Sequence, residues 1–107
     1  MAGMSFMDGV INDIPNISII TKIEVLGFKM NKQDTKLLYD FVDSGNVIYL
    51  NDDIVNKTID LRRNHKIKIP DAIIAATALA FNFQLITRNL SDFKKIEGLR
   101  VVNPHEL

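Results

Sequence analysis

Short apolar runs alternate with longer amphipathic segments along most of the chain, and this alternation constrains the fold more than any other feature. Four such runs are typical of strands buried on both faces, at residues 17–20, 47–50, 84–87 and 99–102. The segments between them predict helices. Strands that alternate with helices indicate an α/β fold, so we expect a parallel sheet between helical layers in a three-layer α/β/α arrangement.

Capping residues and prolines mark the ends of the predicted helices. These helices cover residues 21–27, 31–44, 51–64 and 70–81, with a short one near Phe93. The second helix is expected to turn four apolar side chains toward the core: Leu37, Leu38, Phe41 and Val42. An earlier helix is also predicted, because apolar residues recur at helical spacing at Met4, Met7, Val10, Ile11 and Ile14.

Composition narrows the functional classes. The 107 residues suit one domain spanning residues 1–107, and the 13 basic and 13 acidic side chains give a net charge of zero. A dedicated nucleic-acid binder usually has a basic excess, so any basic surface must be local or come from another subunit. The absence of cysteine excludes sulfur-ligated zinc and agrees with the cytoplasmic location that we expect. Charges interrupt every apolar run, so no membrane span is expected.

Three acids are placed where a parallel sheet would bring them together. Glu24 follows the first predicted strand, Asp92 follows the third, and Asp71 opens the alanine-rich helix. Ligands of such sheets bind outside the carboxyl ends of the strands. Carboxylate oxygens are the ligands that Mg²⁺ and Mn²⁺ prefer, so the pattern predicts a divalent metal site.

Each acid also has an ordinary structural explanation. Thr21 and Glu24 match a capping box, in which both side chains satisfy free amides of a first helical turn. Asp71 follows a proline at a helix start, where an acid is common, and Asp92 could cap the short helix near Phe93. These explanations say nothing about the relative positions of the acids, whereas the metal-site hypothesis requires them to share one edge of the sheet.

Other polar residues are weaker candidates. His65 and His105 are far apart in sequence, and both are interpreted as solvated surface residues. His65 belongs to the basic run 62–66, which could contact phosphate but is more often a solvated face. No glycine-rich phosphate loop and no serine–histidine–acid arrangement is present.

Several segments carry a resemblance to a known family. They are residues 18–27, 69–78, 85–93 and 99–104, in this order. With these segments the chain resembles the PIN-domain family, especially its VapC-type bacterial toxins. The resemblance implies a Mg²⁺- or Mn²⁺-dependent endoribonuclease that is paired with an antitoxin and is often a homodimer.

The resemblance also implies roles for individual residues. Glu24, Asp71 and Asp92 would be the second, third and fourth acids of the metal site. The supporting residues would be Thr87 and Asn89, which help to position the site, and Thr21.

The start of the chain departs from the family pattern. The family opens with a strand that ends in an aspartate, usually in an Asp-Thr-Asn sequence, and nothing here matches it. Asp8 and Asp13 are predicted to lie in a helix and a turn, so neither is assigned to the site. We therefore expect an N-terminally truncated PIN-like domain without the central strand. The gap would be closed within the chain, by exchanging elements with a second copy or by borrowing a strand.

Three hypotheses follow. The first is a metal-dependent ribonuclease of toxin–antitoxin type, impaired because one acid is missing. The second is a catalytically inactive PIN remnant that acts as a dimerisation or antitoxin-binding module. The third is a small α/β domain whose acids lie on different faces. Enzymatic activity is thus left open by the sequence.

Overall fold

A parallel five-stranded sheet forms the centre of this computed structural model, which describes residues 15–104 and the backbone of residues 5–7. The strands are β1 (Ser5–Met7), β2 (Asn16–Ser18), β3 (Asn46–Ile48), β4 (Gln84–Ile86) and β5 (Val101–Val102). Their spatial order is β3-β2-β1-β4-β5, and all neighbouring pairs are parallel. The predicted α/β fold class is confirmed.

The helices follow the predicted pattern closely. They are α1 (Ile19–Leu26), α2 (Lys32–Asp43), α3 (Asp52–Asn64), α4 (Ile69–Phe81) and α5 (Leu90–Phe93). Asparagine residues cap the N-termini of α2 and α3. Asn31 Oδ1 accepts a hydrogen bond from Asp34 N, and Asn51 Oδ1 accepts one from Ile54 N, both at 2.8 Å. Within the described residues, none of the helices combines the length and apolar character that crossing a membrane requires.

The hydrophobic core is built around the alanine-rich helix α4. Small side chains let α4 approach α3 closely, and it buries six residues: Ala72, Ile74, Ala75, Ala76, Thr77 and Ala78. Ile54 and Leu61 contribute the apolar face of α3, while Leu85 of β4 and Phe93 of α5 complete the same cluster. This packing fixes the first turn of α4 relative to the end of β4, and both carry candidate site residues.

The central strand corrects the sequence analysis. The helical spacing predicts a helix over residues 5–7, and the family resemblance predicts a sheet without its central strand; both predictions are wrong. β1 pairs with β4 through Ser5↔Gln84, Phe6↔Leu85 and Met7↔Ile86, and with β2 through Phe6↔Asn16. Because β1 fills the centre of the sheet within the chain, strand exchange with a second copy is not needed to close it. The rest of the predicted first helix, with Asp8, and the predicted turn that contains Asp13 lie outside the described residues.

Two smaller differences concern α1 and α2. Helix α1 begins at Ile19 and Ser18 is its N-cap, accepting from Ile20 N at 3.1 Å, so the capping-box interpretation of Thr21 and Glu24 is wrong. In α2, Val42 is buried as predicted, but the Leu37 side chain is 61% exposed. Helix α2 packs against α1 and β3, and Leu37 lies on its exposed side.

Candidate metal-binding cleft

The topology of the sheet singles out one edge. From β1 the chain continues to β2 and β3 on one side and later returns to β4 and β5 on the other, so the strand order reverses between β1 and β4. Ligands of open parallel sheets bind outside the carboxyl ends of the strands at such a reversal. The segment 87–92 leaves the carboxyl end of β4 at this point and carries three predicted site residues.

Hydrogen bonds hold the turn after β4 in one shape. Thr87 is buried, its N–H donates to Val102 O at 3.0 Å, and its hydroxyl accepts from Asn89 N at 3.1 Å. The Asn89 amide then donates to Asp92 Oδ2 at 2.6 Å. Thr87 thus orients Asn89, and Asn89 orients the carboxylate of Asp92.

Asp71 meets this turn from the start of α4. It lies in the first turn of the helix, two residues after Ile69, and is half-buried. Burial raises the pKa of Asp71 above its ordinary value of 3.8, the negative charge of Asp92 raises it further, and the nearby Lys68 ammonium opposes both effects. The side chains of Asp71 and Asp92 line a common space.

That space is a cleft of about 720 Å³, referred to below as the acid cleft. It is lined by Arg62, His65, Lys66, Ile67, Lys68, Asp71, Asn89 and Asp92. His65 is half-buried and lines the cleft, unlike the solvated surface residue expected from the sequence, and His105 lies outside the described residues. The acid cleft therefore joins two carboxylates, one carboxamide and a set of cations.

Glu24 and Thr21 are not among the residues of the acid cleft. Glu24 is exposed on α1 and lines a separate apolar pocket with Val25, Phe28, Met30 and Leu38. Thr21 is buried in the same helix, and its hydroxyl has no hydrogen-bond partner among the residues that the structure describes. The roles of Glu24 and Thr21 in a metal site remain predictions.

The donor atoms of the cleft fit a hard divalent cation. Within residues 5–7 and 15–104, no group of three or more histidine, cysteine, aspartate or glutamate side chains is placed to hold a metal ion. Asp71 and Asp92 nevertheless repel one another across a solvent-accessible cleft, and a cation between them would relieve that repulsion. Mg²⁺ is commonly bound through one or two carboxylates together with water and substrate phosphates, so two acids are a sufficient protein contribution.

Arg62 and Lys68 line the acid cleft, and the sequence analysis assigned neither residue to the site. The sequence favours a solvated face for the basic run that contains Arg62, although such a run could contact phosphate. Lys68 lies just beyond that run, and only the turn between α3 and α4 brings both residues to the acids. The spacing of Lys68 three residues before Asp71 was the signal available in the sequence.

Comparisons with known proteins identify the family. The model of the PIN domain matches residues 10–99. A toxin–antitoxin complex from Klebsiella pneumoniae has a chain 38% identical to this one, with a TM-score of 0.74 and coverage of 87% of this chain and 76% of that chain. VapBC-1 from nontypeable Haemophilus influenzae is 27% identical, with a TM-score of 0.69 and coverage of 89% and 78%. VapBC2 from Rickettsia felis, bound to a DNA fragment from its promoter, is 26% identical, with a TM-score of 0.71 and coverage of 86% and 76%. A comparison with curated proteins found no match.

The family match extends over most of the chain, which therefore belongs to the PIN-domain family and is of the VapC type. This membership supports a toxin-type nuclease in general. Nucleases with PIN domains generally depend on a divalent metal, in agreement with the carboxylate pair of the acid cleft.

Proposed function

We propose that this single-domain protein is a Mg²⁺- or Mn²⁺-dependent endoribonuclease of toxin–antitoxin type that hydrolyses RNA phosphodiesters in the cytoplasm. One observation carries the proposal: Asp71 and Asp92 come from separate elements, α4 and α5, and meet in one cleft at the strand-order reversal of a PIN-type sheet. Ordinary helix capping explains either acid alone but not their convergence.

The described side chains have distinct tasks in this proposal. Asp71 and Asp92 supply carboxylate oxygens to the metal, and Asn89 holds Asp92 in position through its 2.6 Å hydrogen bond. Thr87 fixes the turn from which Asn89 projects. When bound, Mg²⁺ or Mn²⁺ provides an activated water and offsets the charge that develops on the phosphodiester. Burial of Thr87 keeps this arrangement rigid, as a positioned catalytic site requires.

Two proposed features come from the family resemblance. Glu24 is a further metal ligand, with Thr21 in a supporting role, although Glu24 lines a separate pocket in this structure. Activity is expected to be weak in this chain, because the sequence contains no Asp-Thr-Asn. Asp8 follows the last residue of β1 directly in sequence, so Asp8→Asn measures whether it replaces the family's first aspartate.

The protein is also proposed to bind a cognate antitoxin and to form a homodimer. The similar structures from Klebsiella, Rickettsia and Haemophilus are toxin–antitoxin or VapBC assemblies, which supports the antitoxin. Exposed apolar side chains on α1 and in the segment that follows it, notably Ile23 and Phe28, support contact with another protein surface.

RNA cleavage tests the enzymatic proposal. Wild type, Asp71→Asn and the control Asp43→Asn on α2 are incubated with single-stranded RNA in Mn²⁺ and, separately, in excess EDTA. We expect Mn²⁺-dependent cleavage by wild type and Asp43→Asn, and at least a roughly hundredfold lower rate for Asp71→Asn. Equal rates for Asp71→Asn and wild type would contradict the proposal.

An inactive PIN remnant that binds an antitoxin is the second candidate. It is favoured by the sequence, which contains no Asp-Thr-Asn to supply the family's first aspartate. Calorimetric titration with Mn²⁺ separates the two candidates. Saturable binding that Asp71→Asn removes supports the enzyme, whereas no binding together with a stable dimer supports the remnant.

A further inference from the structure

The acid cleft carries a local basic excess in a chain whose net charge is zero. Arg62, Lys66 and Lys68 contribute three positive charges to its lining, and Asp71 and Asp92 contribute two negative charges. A bare pair of acids would repel a polyanion, whereas this lining has an excess of one positive charge before His65 is counted. Because the net charge of the chain is zero, any basic surface must be local. The cations of the cleft form such a surface beside the carboxylates.

The backbone that presents these cations is held at two points. Arg62 Nη1 donates to Ile67 O at 2.6 Å, which ties the end of α3 to the connection between α3 and α4. Lys95 Nζ donates to Lys66 O at 3.1 Å, so a further cation lies against the same connection. Ile67 itself is buried in the core. The connection, residues 65–68, therefore forms one side of the cleft and is held in place by these contacts.

Helix electrostatics explains Arg62 but not Lys68. Arg62 lies in the last turn of α3, where a cation is favourable. Lys68 is the N-cap of α4, where a cation is unfavourable and where a lysine makes no side-chain cap hydrogen bond. Serine, threonine, aspartate or asparagine would stabilise this helix end better. A residue that opposes local stability next to a cleft is a candidate for a functional role.

Lys68 also remains available to an anionic ligand. Its charge lowers the pKa of Asp71, so the ammonium lies within electrostatic reach of that carboxylate. The ion pairs among the described residues are Lys36–Asp40 and Lys57–Asp53, and neither involves the acid cleft. Lys68 thus approaches the acids without being neutralised by a direct ion pair.

We propose that Lys68, together with Arg62 and Lys66, binds the phosphate groups of an RNA strand and holds it against Asp71 and Asp92. This inference rests on the proposed function for the identity of the polyanion. Three phosphate contacts on one wall give affinity without base specificity, because the recognised groups belong to the backbone. Binding by this wall is sequence-independent and depends on salt.

Binding of RNA without cleavage tests the inference. Fluorescence anisotropy measures the affinity of the full chain for a short labelled single-stranded RNA in EDTA, at NaCl concentrations from about 50 to 200 mM. The variant is Lys68→Ser, which supplies a good helix N-cap, and the matched control is Lys29→Ser in the exposed segment after α1. Thermal unfolding is followed for all three proteins.

We expect Lys68→Ser to weaken RNA binding by roughly three- to tenfold and to reduce the slope of log K against log salt by about 0.7, the value for one phosphate contact on a single strand. Its Tm should equal or exceed that of wild type, so misfolding cannot account for the loss. Lys29→Ser should bind RNA like wild type.

Three outcomes would overturn the inference: no RNA binding by wild type at low salt, unchanged binding by Lys68→Ser, or an equal loss in Lys29→Ser. The nuclease proposal fails separately. If wild type does not cleave RNA in Mn²⁺ but Lys68→Ser selectively loses RNA affinity, the inference about Lys68 is supported and the nuclease proposal fails. If wild type cleaves RNA but Lys68→Ser keeps its RNA affinity, the nuclease proposal is supported and the inference about Lys68 fails.

Discussion

At the scale of single residues, the surroundings of Asp71 raise its pKa although the residue lies in the first turn of a helix. An acid that served only to stabilise the start of α4 would interact with the positive end of the helix dipole, which lowers a carboxyl pKa. Burial and the charge of Asp92 instead raise the pKa of Asp71, and the opposing effect of Lys68 is smaller. Asp71 therefore occupies a position that is unfavourable for its charge, as in sites that bind cations.

The coupling between the two acids can be measured directly. Asp92→Asn removes the neighbouring negative charge, so the pKa of Asp71 should fall toward its ordinary value but stay above it, because burial is the larger cause. Side-chain carboxyl titration by NMR provides the measurement. Asp43→Asn on α2, which does not line the acid cleft, should leave the Asp71 titration unchanged. An identical Asp71 pKa in Asp92→Asn would show that the carboxylates do not interact.

Two buried helical threonines form a matched pair for stability. The Thr21 hydroxyl has no partner among the described residues, whereas Thr77 Oγ1 donates to Ile73 O at 2.8 Å. Thr21→Val should raise the free energy of unfolding by about 1 kcal/mol, since it removes an unpaired buried hydroxyl. Thr77→Val should lower it by about 0.5–1 kcal/mol. Guanidinium unfolding measures both, and a loss in Thr21→Val equal to that in Thr77→Val would mean that the Thr21 hydroxyl is hydrogen-bonded.

At the scale of elements, the sequence predicts helices better than strands or contacts. The asparagine caps and the 3.6-residue period locate α2 and α3 to within one or two residues. β1 is missed because a three-residue strand has no detectable period, and the spacing of Met4 and Met7 mimics a helix. The convergence of Asp71 and Asp92 is predicted from topology, but Lys68 reaches the cleft through a turn whose path no local pattern encodes.

The exposed side chains of Phe28 and Leu37 are expected to mediate self-association. Phe28 is 72% exposed and Leu37 is 61% exposed, and such side chains in an apolar patch indicate a protein interface. The double variant Phe28→Ser/Leu37→Ser should raise the dimer Kd at least about tenfold and change stability by less than roughly 0.5 kcal/mol. Sedimentation velocity measures association. Ile59→Ser on α3, a residue that is 46% exposed, is the control, and an equally dimeric double variant would place the interface elsewhere.

At the scale of the whole molecule, the acid cleft and the pocket that contains Glu24 are separate sites with different linings. Cations and acids converge at the strand-order reversal, whereas the pocket that contains Glu24 is lined by apolar side chains of α1, α2 and the segment between them. A chain with zero net charge can therefore offer one site to a metal and a polyanion and another surface to a protein. The position of Glu24 beside the apolar pocket predicts that Glu24→Gln weakens Mn²⁺ binding less than Asp71→Asn does.

Metal binding should stabilise the folded chain in a pH-dependent way. At ten times its Kd, free Mn²⁺ should raise the free energy of unfolding by about 1.4 kcal/mol. Protons compete with Mn²⁺ for Asp71. The stabilisation by Mn²⁺ should therefore be full above the raised pKa of Asp71 and disappear as the pH falls through that pKa, at a pH above 3.8.

Without metal, the stability of the chain has the opposite pH dependence. The native state binds the Asp71 proton more tightly than the unfolded state, so the free energy of unfolding falls as the pH rises through the same window. Thermal unfolding with and without Mn²⁺ measures both effects. Asp43→Asn should keep the Mn²⁺ stabilisation and its pH dependence. If Asp71→Asn also kept them, this cleft would be excluded as the metal site.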